Sequence, residues 1–455
     1  MFSVSYLRQP RITRIMYRYI EENLNTWKNA ADRKPLIVTG ARQVGKTYSI
    51  EKFGRNSYDT VITYNFQDDV SAREFFLRPH SAAEIRTYIE INHPSYIDSS
   101  DTLVFFDEVQ LCPELLTSLK YLPSTMSCDF ICSGSMPGVQ LHNTSSWPVG
   151  YVETITLHPM SFLEFAEASG IDRKYIDQLR ECIKNTEAVP EVLHMKFNEL
   201  FKAYMICGGM PEAVLEYKSH GIAASIKVNR RLTNDYRIDI AHYADSKTRI
   251  KAQECFDSIP NQLAKDNKKF QYNAVRKGYN ARYYEESLNW LESSGLVIKV
   301  NRLAQISAPL KAHKELGVFK IYMFDTGILT SQFSDKDISD LLEDSLGMYK
   351  GMLYENITAQ MLFYSGITPY YYEPNTSSEI DFIIETAEGI TPVEVKGGLH
   401  TRSKSFNNFI KNHNSAKAYR FSVKNAGKSD DGVTLYMPIY AAEICFSDLQ
   451  IDEFC

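Results

Sequence analysis

The hydrophobic positions of this chain gather in short runs that end at small or acidic residues. Residues 36–40 form an apolar run that leads into a glycine, and residues 60–66 are rich in β-branched and aromatic side chains. Residues 101–108 form another apolar run, which ends in two carboxylates. Runs of this length and composition predict strands, and an uninterrupted apolar run predicts a strand buried on both faces of a parallel sheet.

Segments with helical character separate these runs. Residues 11–30 predict an amphipathic helix, and residues 71–91 also have helical character. Residues 161–240 predict mainly helices, with a sharp break at Gly208-Gly209 and Pro211. The alternation favours an α/β fold built on a parallel sheet. No apolar run approaches the roughly 18 residues that a transmembrane helix needs.

The first strand runs into the sequence G-x-x-x-x-G-K-T, which is the Walker A pattern of a phosphate-binding loop. Its two glycines, Gly40 and Gly45, allow backbone angles that turn several N–H groups toward one point. Lys46 supplies a cation for the β- and γ-phosphates of a nucleotide, and the Thr47 hydroxyl can ligate magnesium. The candidate nucleotide contacts are Gly40, Ala41, Arg42, Gln43, Val44, Gly45, Lys46, Thr47 and Tyr48.

A Walker B candidate follows about 60 residues later, a spacing typical of P-loop proteins. Asp107 would complete the magnesium shell, and Glu108 would orient or deprotonate the attacking water. A further short strand over residues 129–133 is followed by hydroxyl side chains, and either Ser133 or Ser135 senses the γ-phosphate or the segment simply closes a turn. The combined motifs predict binding of ATP with Mg²⁺, and hydrolysis with Glu108 as the catalytic base.

Length and composition are those of an ordinary soluble protein with two to four domains. The chain has 455 residues, of which 44% are hydrophobic and 23% are charged. The N-terminal arginines resemble a transit peptide only superficially, because Glu21 and Glu22 continue the predicted helix. The eight cysteines include no C-x-x-C pair, so neither a zinc site nor a disulfide framework is indicated, and we expect a cytoplasmic protein without a membrane partner.

Charge is unevenly distributed along the chain. The formal net charge is −6, whereas residues 225–320 carry 18 Lys/Arg against 10 Asp/Glu, a local balance of +8 that leaves −14 elsewhere. Such a segment is either a contact surface for an anionic partner such as DNA or a normally solvated basic face.

Within this basic segment, the pattern predicts a helix-turn-helix followed by a wing strand. Residues 270–282 supply a short first helix and the turn at Gly278, residues 285–292 supply the second helix, and residues 296–300 supply the strand. Lys277 and Arg282 could contact DNA phosphates, and Asn280 could cap the second helix or contact a base. Trp290 and Leu291 are expected in the core. Winged helices also serve as structural or protein-contact modules, and that alternative stays open.

Near the C-terminus, alternating residues predict a β-hairpin. Residues 379–385 and 390–396 flank a four-residue turn, and centring the turn between Ala387 and Glu388 pairs Asp381 with Glu394. The same register pairs Glu379 with Lys396. All four charged side chains then lie on one face of the hairpin, either as a polar cluster or as an ordinary solvent-facing surface.

Several motifs, in order, resemble prokaryotic AAA-type ATPases that carry a C-terminal domain of unknown function. They are Gly40-Ala-Arg-Gln-Val-Gly-Lys-Thr47, Phe106-Asp-Glu-Val-Gln110, Ser133-Gly-Ser135, His158-Pro-Met-Ser-Phe-Leu-Glu-Phe165, Gly208-Gly-Met-Pro-Glu-Ala-Val214 and Tyr322-Met-Phe-Asp-Thr-Gly327. The resemblance covers residues from about 12 to 400 and implies ATP binding. Members usually have Gly-Arg before the Pro-Met-Ser-Phe motif, where this chain has Gly150-Tyr151; Arg230, Arg231 or Arg237 could replace that arginine, or hydrolysis is slow.

The C-terminal hairpin resembles the PD-(D/E)xK nuclease superfamily through Glu379-Ile-Asp-Phe382 and Pro392-Val-Glu-Val-Lys396. The resemblance implies that Asp381 and Glu394 bind Mg²⁺ or Mn²⁺ and that Lys396 positions a water or stabilises developing charge. Glu355, in a predicted helix, would complete the acidic set.

These expectations define four domains. They are a P-loop AAA-type ATPase domain with its N-terminal helix (1–160), a helical connector (161–240), a winged-helix-like region (241–310) and an α/β restriction-endonuclease-like domain (311–455). The expected function is ATP hydrolysis coupled to a nuclease-like domain that acts on DNA. The alternatives are an ATP-driven signalling or assembly switch with an inactive nuclease-like fold, and an ATP-binding scaffold with negligible turnover. Self-association is left open.

Overall fold

The structure is a computed structural model that describes residues 16–135, 148, 150–244, 248–265, 268–343, 347–375, 378–397 and 403–449. The first fifteen residues of the chain, and with them residues 11–15 of the predicted N-terminal helix, lie outside the described part. The described part of that helix, α1, spans Ile20–Asn29 and buries Ile20, Leu24 and Trp27.

In the first half of the described chain, five strands form a parallel sheet in the order β2-β3-β4-β1-β5. The strands are β1 (Leu36–Thr39), β2 (Thr60–Asn65), β3 (Thr102–Asp107), β4 (Asp129–Ser133) and β5 (Glu153–Thr156). The side chains of β3 are buried throughout, as expected for a strand covered on both faces. This order places the β1 and β3 ends on either side of β4, which brings the two nucleotide motifs together.

Helices cover both faces of this sheet. They are α2 (Lys46–Ser57), α3 (Val70–Phe76), α4 (Ala82–Asn92) and α5 (Pro113–Ser118), with 3₁₀ turns at Val109–Leu111 and Leu122–Ser124. The helical character predicted for residues 71–91 is confirmed, but it is divided between two helices. The chain breaks after Phe76 and restarts at Ser81, which forms a capping box with Glu84 and so begins a separate helix.

A helical connector follows the sheet, as the sequence indicates. Its helices are α6 (Phe162–Ala168), α7 (Arg173–Lys184), α8 (Glu191–Cys207), α9 (Pro211–His220) and the long α10 (Ile222–Tyr243). The break between α8 and α9 falls at Gly208, which adopts a φ of 67°. Pro211 opens α9 at a position that needs no backbone N–H donor.

The second sheet has eight strands among the described residues, in the order β12-β13-β11-β10-β9-β8-β6-β7. The strands are β6 (Val297–Leu303), β7 (Lys314–Met323), β8 (Tyr370–Asn375), β9 (Ser378–Thr386), β10 (Gly389–Val395), β11 (Ala418–Ser422), β12 (Gly427–Lys428) and β13 (Thr434–Pro438). The sheet is mixed: β8, β9 and β10 are antiparallel neighbours, whereas β10 and β11 run parallel.

The helices of this half are α11 (Arg249–Leu263), α12 (Tyr272–Val275), α13 (Ala281–Ser293), α14 (Thr326–Thr330), α15 (Asp335–Leu342), α16 (Gly347–Tyr364), α17 (Lys404–His413) and α18 (Ala442–Ser447). Short 3₁₀ turns lie at Leu310–His313 and Ile439–Ala441. The predicted domain boundary at residue 310 falls between β6 and β7, which pair with each other in the same sheet.

One apolar core continues through both halves of the molecule. The same cluster contains Leu36 and Val38 of the first sheet, and Phe382 and Val393 of the second. Trp290 and Leu291 are buried within it, as predicted. No helix among the described residues combines the length and apolar character needed to cross a bilayer.

Candidate functional site

The loop between β1 and α2 has the backbone of a phosphate-binding site. Gly40 and Gly45 have φ values of 143° and 95°, and Gln43 between them has a φ of 62°. A side chain at Gly40 would place its Cβ 2.1 Å from the Leu157 carbonyl oxygen, so glycine is required there. α2 begins at Lys46 directly after the loop, and its N-terminus therefore faces the point where the loop amides converge.

Lys46 is buried at the base of this loop. Its Nζ donates to the Gly40 and Ala41 carbonyl oxygens at 3.1 and 2.8 Å. Burial lowers the pKa of Lys46 to about 8, against the opposing influence of the Glu108 and Asp107 carboxylates. A phosphate at the loop would offer Lys46 a full negative charge in place of two carbonyl dipoles.

Thr47 and Asp107 bring the two motifs into direct contact. Thr47 Oγ1 donates to Asp107 Oδ2 at 2.9 Å, and Asn65 Nδ2 donates to the same oxygen at 3.2 Å. Ser133 donates to the other Asp107 oxygen from the neighbouring strand. Burial raises the pKa of Asp107, and the hydrogen bonds from Ser133 and Thr47 oppose that rise. A hydroxyl and a carboxylate side by side are the hard oxygen ligands that Mg²⁺ prefers, so these residues fit the ion.

Glu108 adopts a left-handed backbone conformation, with φ 58° and ψ 44°, directly after β3. Its carboxylate accepts hydrogen bonds from the Gln110 side-chain amide and, at 3.1 Å, from Ser135 Oγ. Gln110 Oε1 in turn accepts from the Ser135 backbone N–H at 3.2 Å. Gln110 and Ser135 thus fix the candidate base. The sequence predicts Ser135, as an alternative to Ser133, to sense the γ-phosphate, whereas it assigns Gln110 no role.

Arg18 is a second residue that sequence reasoning missed. It is 4% exposed and lies beneath the phosphate loop. Its guanidinium donates to the Val44 carbonyl at 2.8 Å, to the His158 carbonyl at 2.7 Å and to Glu164 Oε1 at 3.0 Å. The arginine therefore ties the loop to the end of β5 and to α6. A signal was present, since Glu164 belongs to the Pro-Met-Ser-Phe-Leu-Glu motif, but its partner lies 146 residues away.

The long connector helix α10 contacts the phosphate loop from the outside. Arg42 Nη1 lies 2.5 Å from Asp239 Oδ1. Tyr236 donates its hydroxyl to the Arg42 carbonyl at 2.6 Å, and Gln43 Nε2 donates to Asp235 Oδ2 at 3.2 Å. Three α10 residues therefore hold two consecutive residues of the loop.

Three ranges of the chain match family models. Residues 32–166 match the family model described as "AAA domain". Residues 32–166 form an AAA-type P-loop ATPase domain. Residues 198–338 match "Domain of unknown function (DUF8612)", and residues 350–441 match "Domain of unknown function (DUF4143)". A search of curated proteins finds no match.

Solved structures similar to this chain include three archaeal proteins. The Walker-type ATPase PABY2304 of Pyrococcus abyssi shares 14% identity at a TM-score of 0.43, covering 72% of this chain and 98% of that one. The ORC1 protein of Aeropyrum pernix, solved in complex with DNA, shares 11% identity at a TM-score of 0.28, covering 72% and 91%. Cdc6p from Pyrobaculum aerophilum shares 12% identity at a TM-score of 0.24, covering 76% and 97%.

The three arginines considered as substitutes near the AAA-type domain have other carboxylate partners. Arg230 bonds Asp335, Arg231 bonds Glu212, and Arg237 bonds Asp257. Tyr151, which stands where the family resemblance would place arginine, is 57% exposed.

Outside the AAA-type domain, the C-terminal hairpin has the predicted register. Five β9–β10 pairs run from Gly389 opposite Thr386 to Val393 opposite Phe382. Beyond the last of these pairs, Asp381 Oδ2 accepts a hydrogen bond from the Val395 N–H at 2.8 Å. Glu394 is only 2% exposed, so this part of the hairpin is not an ordinary solvent-facing surface.

The cluster on this hairpin contains lysines as well as acids. Lys396 pairs with Glu394, and Lys320 on β7 pairs with Glu379. Glu355 on α16 pairs with Lys268, lies 3.6 Å from Lys320 Nζ and accepts a hydrogen bond from Tyr322 OH at 3.1 Å. The acidic and basic members therefore neutralise one another.

The pKa values of Asp381 and Glu355 are shifted in opposite directions. Burial raises the pKa of Asp381 well above its usual range, and the neighbouring Glu394 and Glu355 raise it further. Burial also raises the pKa of Glu355, but Lys320 and Lys268 outweigh it and lower the value to about 2. Within the described ranges, no three His, Cys, Asp or Glu side chains form a group arranged to hold a metal ion. Glu394 Oε2 is buried without a hydrogen-bond partner, so one ligand atom remains available.

The predicted DNA-contact residues lie at the start of α13. Lys277 and Arg282 are exposed, and Asn280 occupies the N-cap position without a side-chain capping bond. The exposed face of α13 also carries Glu285 and Glu286.

Carboxylates outside residues 225–320, namely Glu212, Asp335, Glu355, Glu373 and Glu379, neutralise part of the +8 charge balance of that segment. Intramolecular salt bridges engage Arg230, Arg231, Arg237, Lys268, Lys269, Arg276, Lys299, Arg302 and Lys320. The basic surface that remains for an anionic partner is therefore smaller than the sequence count indicates.

Proposed function

We propose that this protein binds ATP with Mg²⁺ and hydrolyses it. The observation that carries the proposal is the meeting of Thr47 and Asp107 at 2.9 Å beside the buried Lys46, with Glu108 next in the chain. These residues supply the phosphate ligand, the ion ligands and the base that transfer of a phosphoryl group to water requires.

Each side chain has a separate task in this reaction. Lys46 and the loop amides hold the phosphates, and Thr47 and Asp107 would hold the ion. Mg²⁺, when bound there, would supply positive charge that offsets the negative charge of the phosphates. Glu108 orients the attacking water and accepts its proton, while Gln110 and Ser135 hold the carboxylate in place. The products are ADP and inorganic phosphate.

The test measures ATP binding by fluorescence titration and phosphate release by a coupled assay, each with Mg²⁺. Lys46→Ala should abolish tight binding, whereas Glu108→Gln should keep it and block turnover. Glu74→Gln is a matched control, because it makes the same charge change on the exposed face of α3. Wild-type affinity in Lys46→Ala would refute the loop assignment, and unchanged turnover in Glu108→Gln would remove Glu108 as the base.

A second proposed activity is metal-dependent cleavage of DNA by the C-terminal domain. Support comes from the β9–β10 hairpin, which brings half-buried Asp381 and buried Glu394 together with Lys396 beyond its last strand pair. The lysine pairing of Glu394 and Glu355 favours the alternative, in which the fold serves protein contacts and ATP drives a switch. An ion at Glu394 would use Oε2, because Oε1 is paired with Lys396.

The discriminating experiment measures cleavage of single- and double-stranded DNA with Mg²⁺ or Mn²⁺, with and without ATP. Cleavage that is lost in Lys396→Ala and Asp381→Asn, but kept in the exposed-turn control Glu388→Gln, supports a nuclease. ATP turnover without cleavage supports the switch. Cleavage that survives Asp381→Asn would show that the site is misassigned.

We also propose that residues 249–323 form a winged helix. Support comes from the order α11, α12, α13, β6 and β7, and from an isolated antiparallel bridge that pairs Lys269 with Lys320 of β7. Since Glu285 and Glu286 occupy the exposed face of α13, DNA contact is proposed only for Lys277 and Arg282 at its N-terminal end.

A further inference from the structure

Arg42 occupies the phosphate loop itself, four residues before Lys46. Its backbone is held by Tyr236, whose hydroxyl donates to the Arg42 carbonyl at 2.6 Å. Its side chain is 26% exposed and reaches Asp239 Oδ1 at 2.5 Å. The guanidinium is therefore anchored beside the phosphate-binding point, at the junction of the ATPase domain and α10.

The charge of Arg42 acts on the group that binds phosphate. The guanidinium contributes to lowering the pKa of Lys46, in addition to the larger effect of burial. An anion that accepts a hydrogen bond from Lys46 is therefore also close enough to interact electrostatically with Arg42. Because the Lys46 and Arg42 cations repel each other, both would be stabilised by the added negative charge of a γ-phosphate.

The other candidate arginines have different attachments. Arg18 is buried, and its guanidinium donates hydrogen bonds to Glu164 and to two carbonyl groups. Arg230, Arg231 and Arg237 pair with carboxylates of the connector and of the helices packed against it. Arg42 differs from all four because it belongs to the loop that contacts the nucleotide.

We propose that Arg42 contacts the γ-phosphate of ATP and supplies in cis the positive charge that Tyr151 cannot provide. The inference rests on the proposed ATPase function and deepens it. As the bond from water oxygen to γ-phosphorus forms, Glu108 takes the water proton, and the β–γ bridging oxygen leaves with ADP. Arg42 stabilises the negative charge on the transferring group, and a planar guanidinium can do so through two parallel hydrogen bonds.

Asp239 is the positioning residue for Arg42 in this proposal. It holds the guanidinium when the γ-phosphate is absent and competes with that phosphate for it. Because Asp239 lies on α10, which also bonds the α14–α15 region through Arg230 and Thr233, exchange of this partner would make α10 sensitive to the γ-phosphate.

The experiment compares Arg42→Ala, Arg42→Lys and Asp239→Asn with wild type by titration of fluorescent ATP and ADP analogues and by phosphate release. Arg55→Ala is the matched control, since Arg55 lies on α2 with a 63% exposed side chain. Arginines that contact the transferring phosphate contribute roughly 10³- to 10⁵-fold to kcat in related chemistry. We expect Arg42→Ala to lower kcat by about 10²-fold or more and Arg42→Lys to restore only part of it.

Measurements of nucleotide binding test the role of Arg42 independently of the proposed hydrolysis. Arg42→Ala should weaken ATP binding more than ADP binding, and Asp239→Asn should tighten ATP binding selectively. If wild type releases no phosphate, hydrolysis fails as a function, and the ATP-to-ADP ratio of Kd values still decides the role of Arg42. Equal losses for ATP and ADP, or a kcat within threefold of wild type in Arg42→Ala, would overturn the inference.

Discussion

The Asp325 carboxylate accepts a hydrogen bond from the Gly209 N–H at 2.7 Å, across 116 residues of sequence. Its second oxygen accepts from the Ile328 N–H at 3.1 Å and so caps α14. Burial raises the pKa of Asp325 to about 6, although these amide hydrogen bonds oppose the rise. One buried carboxylate thus joins the connector to the C-terminal half.

The glycines around Asp325 are required by close packing. A Cβ at Gly208 would lie 2.3 Å from Asp325 Oδ1, and a Cβ at Gly209 would lie 2.0 Å from the Met160 carbonyl oxygen. A Cβ at Gly327 would lie 2.2 Å from the Cys207 carbonyl oxygen. The Gly-Gly-Met-Pro and Phe-Asp-Thr-Gly motifs are therefore two sides of one contact, which explains why both contain glycine.

Asp325→Ala should lower the thermal stability of the protein markedly. It leaves buried N–H groups without an acceptor, and each such group lowers the free energy of unfolding by about 1–3 kcal/mol. The measurement is the midpoint of thermal unfolding followed by circular dichroism. Asp335→Ala is the control, because Asp335 is 85% exposed in its pair with Arg230 and an exposed pair contributes about 0–1 kcal/mol. Equal midpoints for the two variants would contradict the role of Asp325.

ATP affinity should fall as the pH rises above 8. The pKa of Lys46 is lowered to about 8, so its cationic form is present below that pH and is lost above it. Since phosphate binds the cation, Kd should rise by about tenfold between pH 7 and pH 9 through proton linkage at this single group. Titrations at constant ionic strength would measure the change.

The control for this pH dependence is Lys46→Ala. Its residual nucleotide binding should lack the same pH dependence. A wild-type Kd that stays flat between pH 7 and pH 9 would mean that Lys46 keeps its proton across this range, contrary to the effect expected from its burial.

The sequence predicts β1 and β3 and the motifs that follow them well because their signals are local. An apolar run that ends in Asp107-Glu108, and a glycine loop that ends in Lys46-Thr47, each carry their chemistry within a few adjacent residues. The hairpin register could be predicted equally well, since the turn length fixes which residues of β9 and β10 are opposite one another.

Contacts between distant segments could not be predicted in this way. Arg18 meets Glu164, and Arg42 meets Asp239, only after the helices have packed. The basic count over residues 225–320 was misleading for the same reason, because the carboxylates that neutralise it include Glu355, Glu373 and Glu379, which lie outside that window. Charge patterning along the chain does not show which charges fold against each other.

Gln110 should act on turnover through Glu108. Gln110→Ala removes one donor to the Glu108 carboxylate, so we expect kcat to fall about tenfold with little change in KM. Gln110→Glu places a second carboxylate beside the base and should raise its pKa, which moves the acidic limb of the pH–rate profile to higher pH. Gln178→Glu, on the exposed face of α7, is the charge-matched control.

A purely structural role for Gln110 would give a different pattern. It would lower stability and nucleotide affinity without moving the pH–rate profile. An unshifted profile in a folded Gln110→Glu protein would therefore exclude Gln110 as the residue that positions the base.

DNA binding, if it resides in the proposed winged helix, should depend on the N-terminal end of α13. Lys277 and Arg282 are exposed there, whereas Glu285 and Glu286 on the same helix repel phosphates. The double variant Lys277→Glu, Arg282→Glu should weaken binding by at least tenfold and reduce the slope of log affinity against log salt by about 2, because two phosphate contacts are lost. Fluorescence anisotropy at several salt concentrations would measure both quantities.

The control for this prediction is the double variant Lys202→Glu, Lys218→Glu on the connector, which makes the same change in net charge. An equal loss of DNA binding in this control would show that only the overall charge matters. An unchanged salt slope in the α13 variant would assign this module to protein contacts.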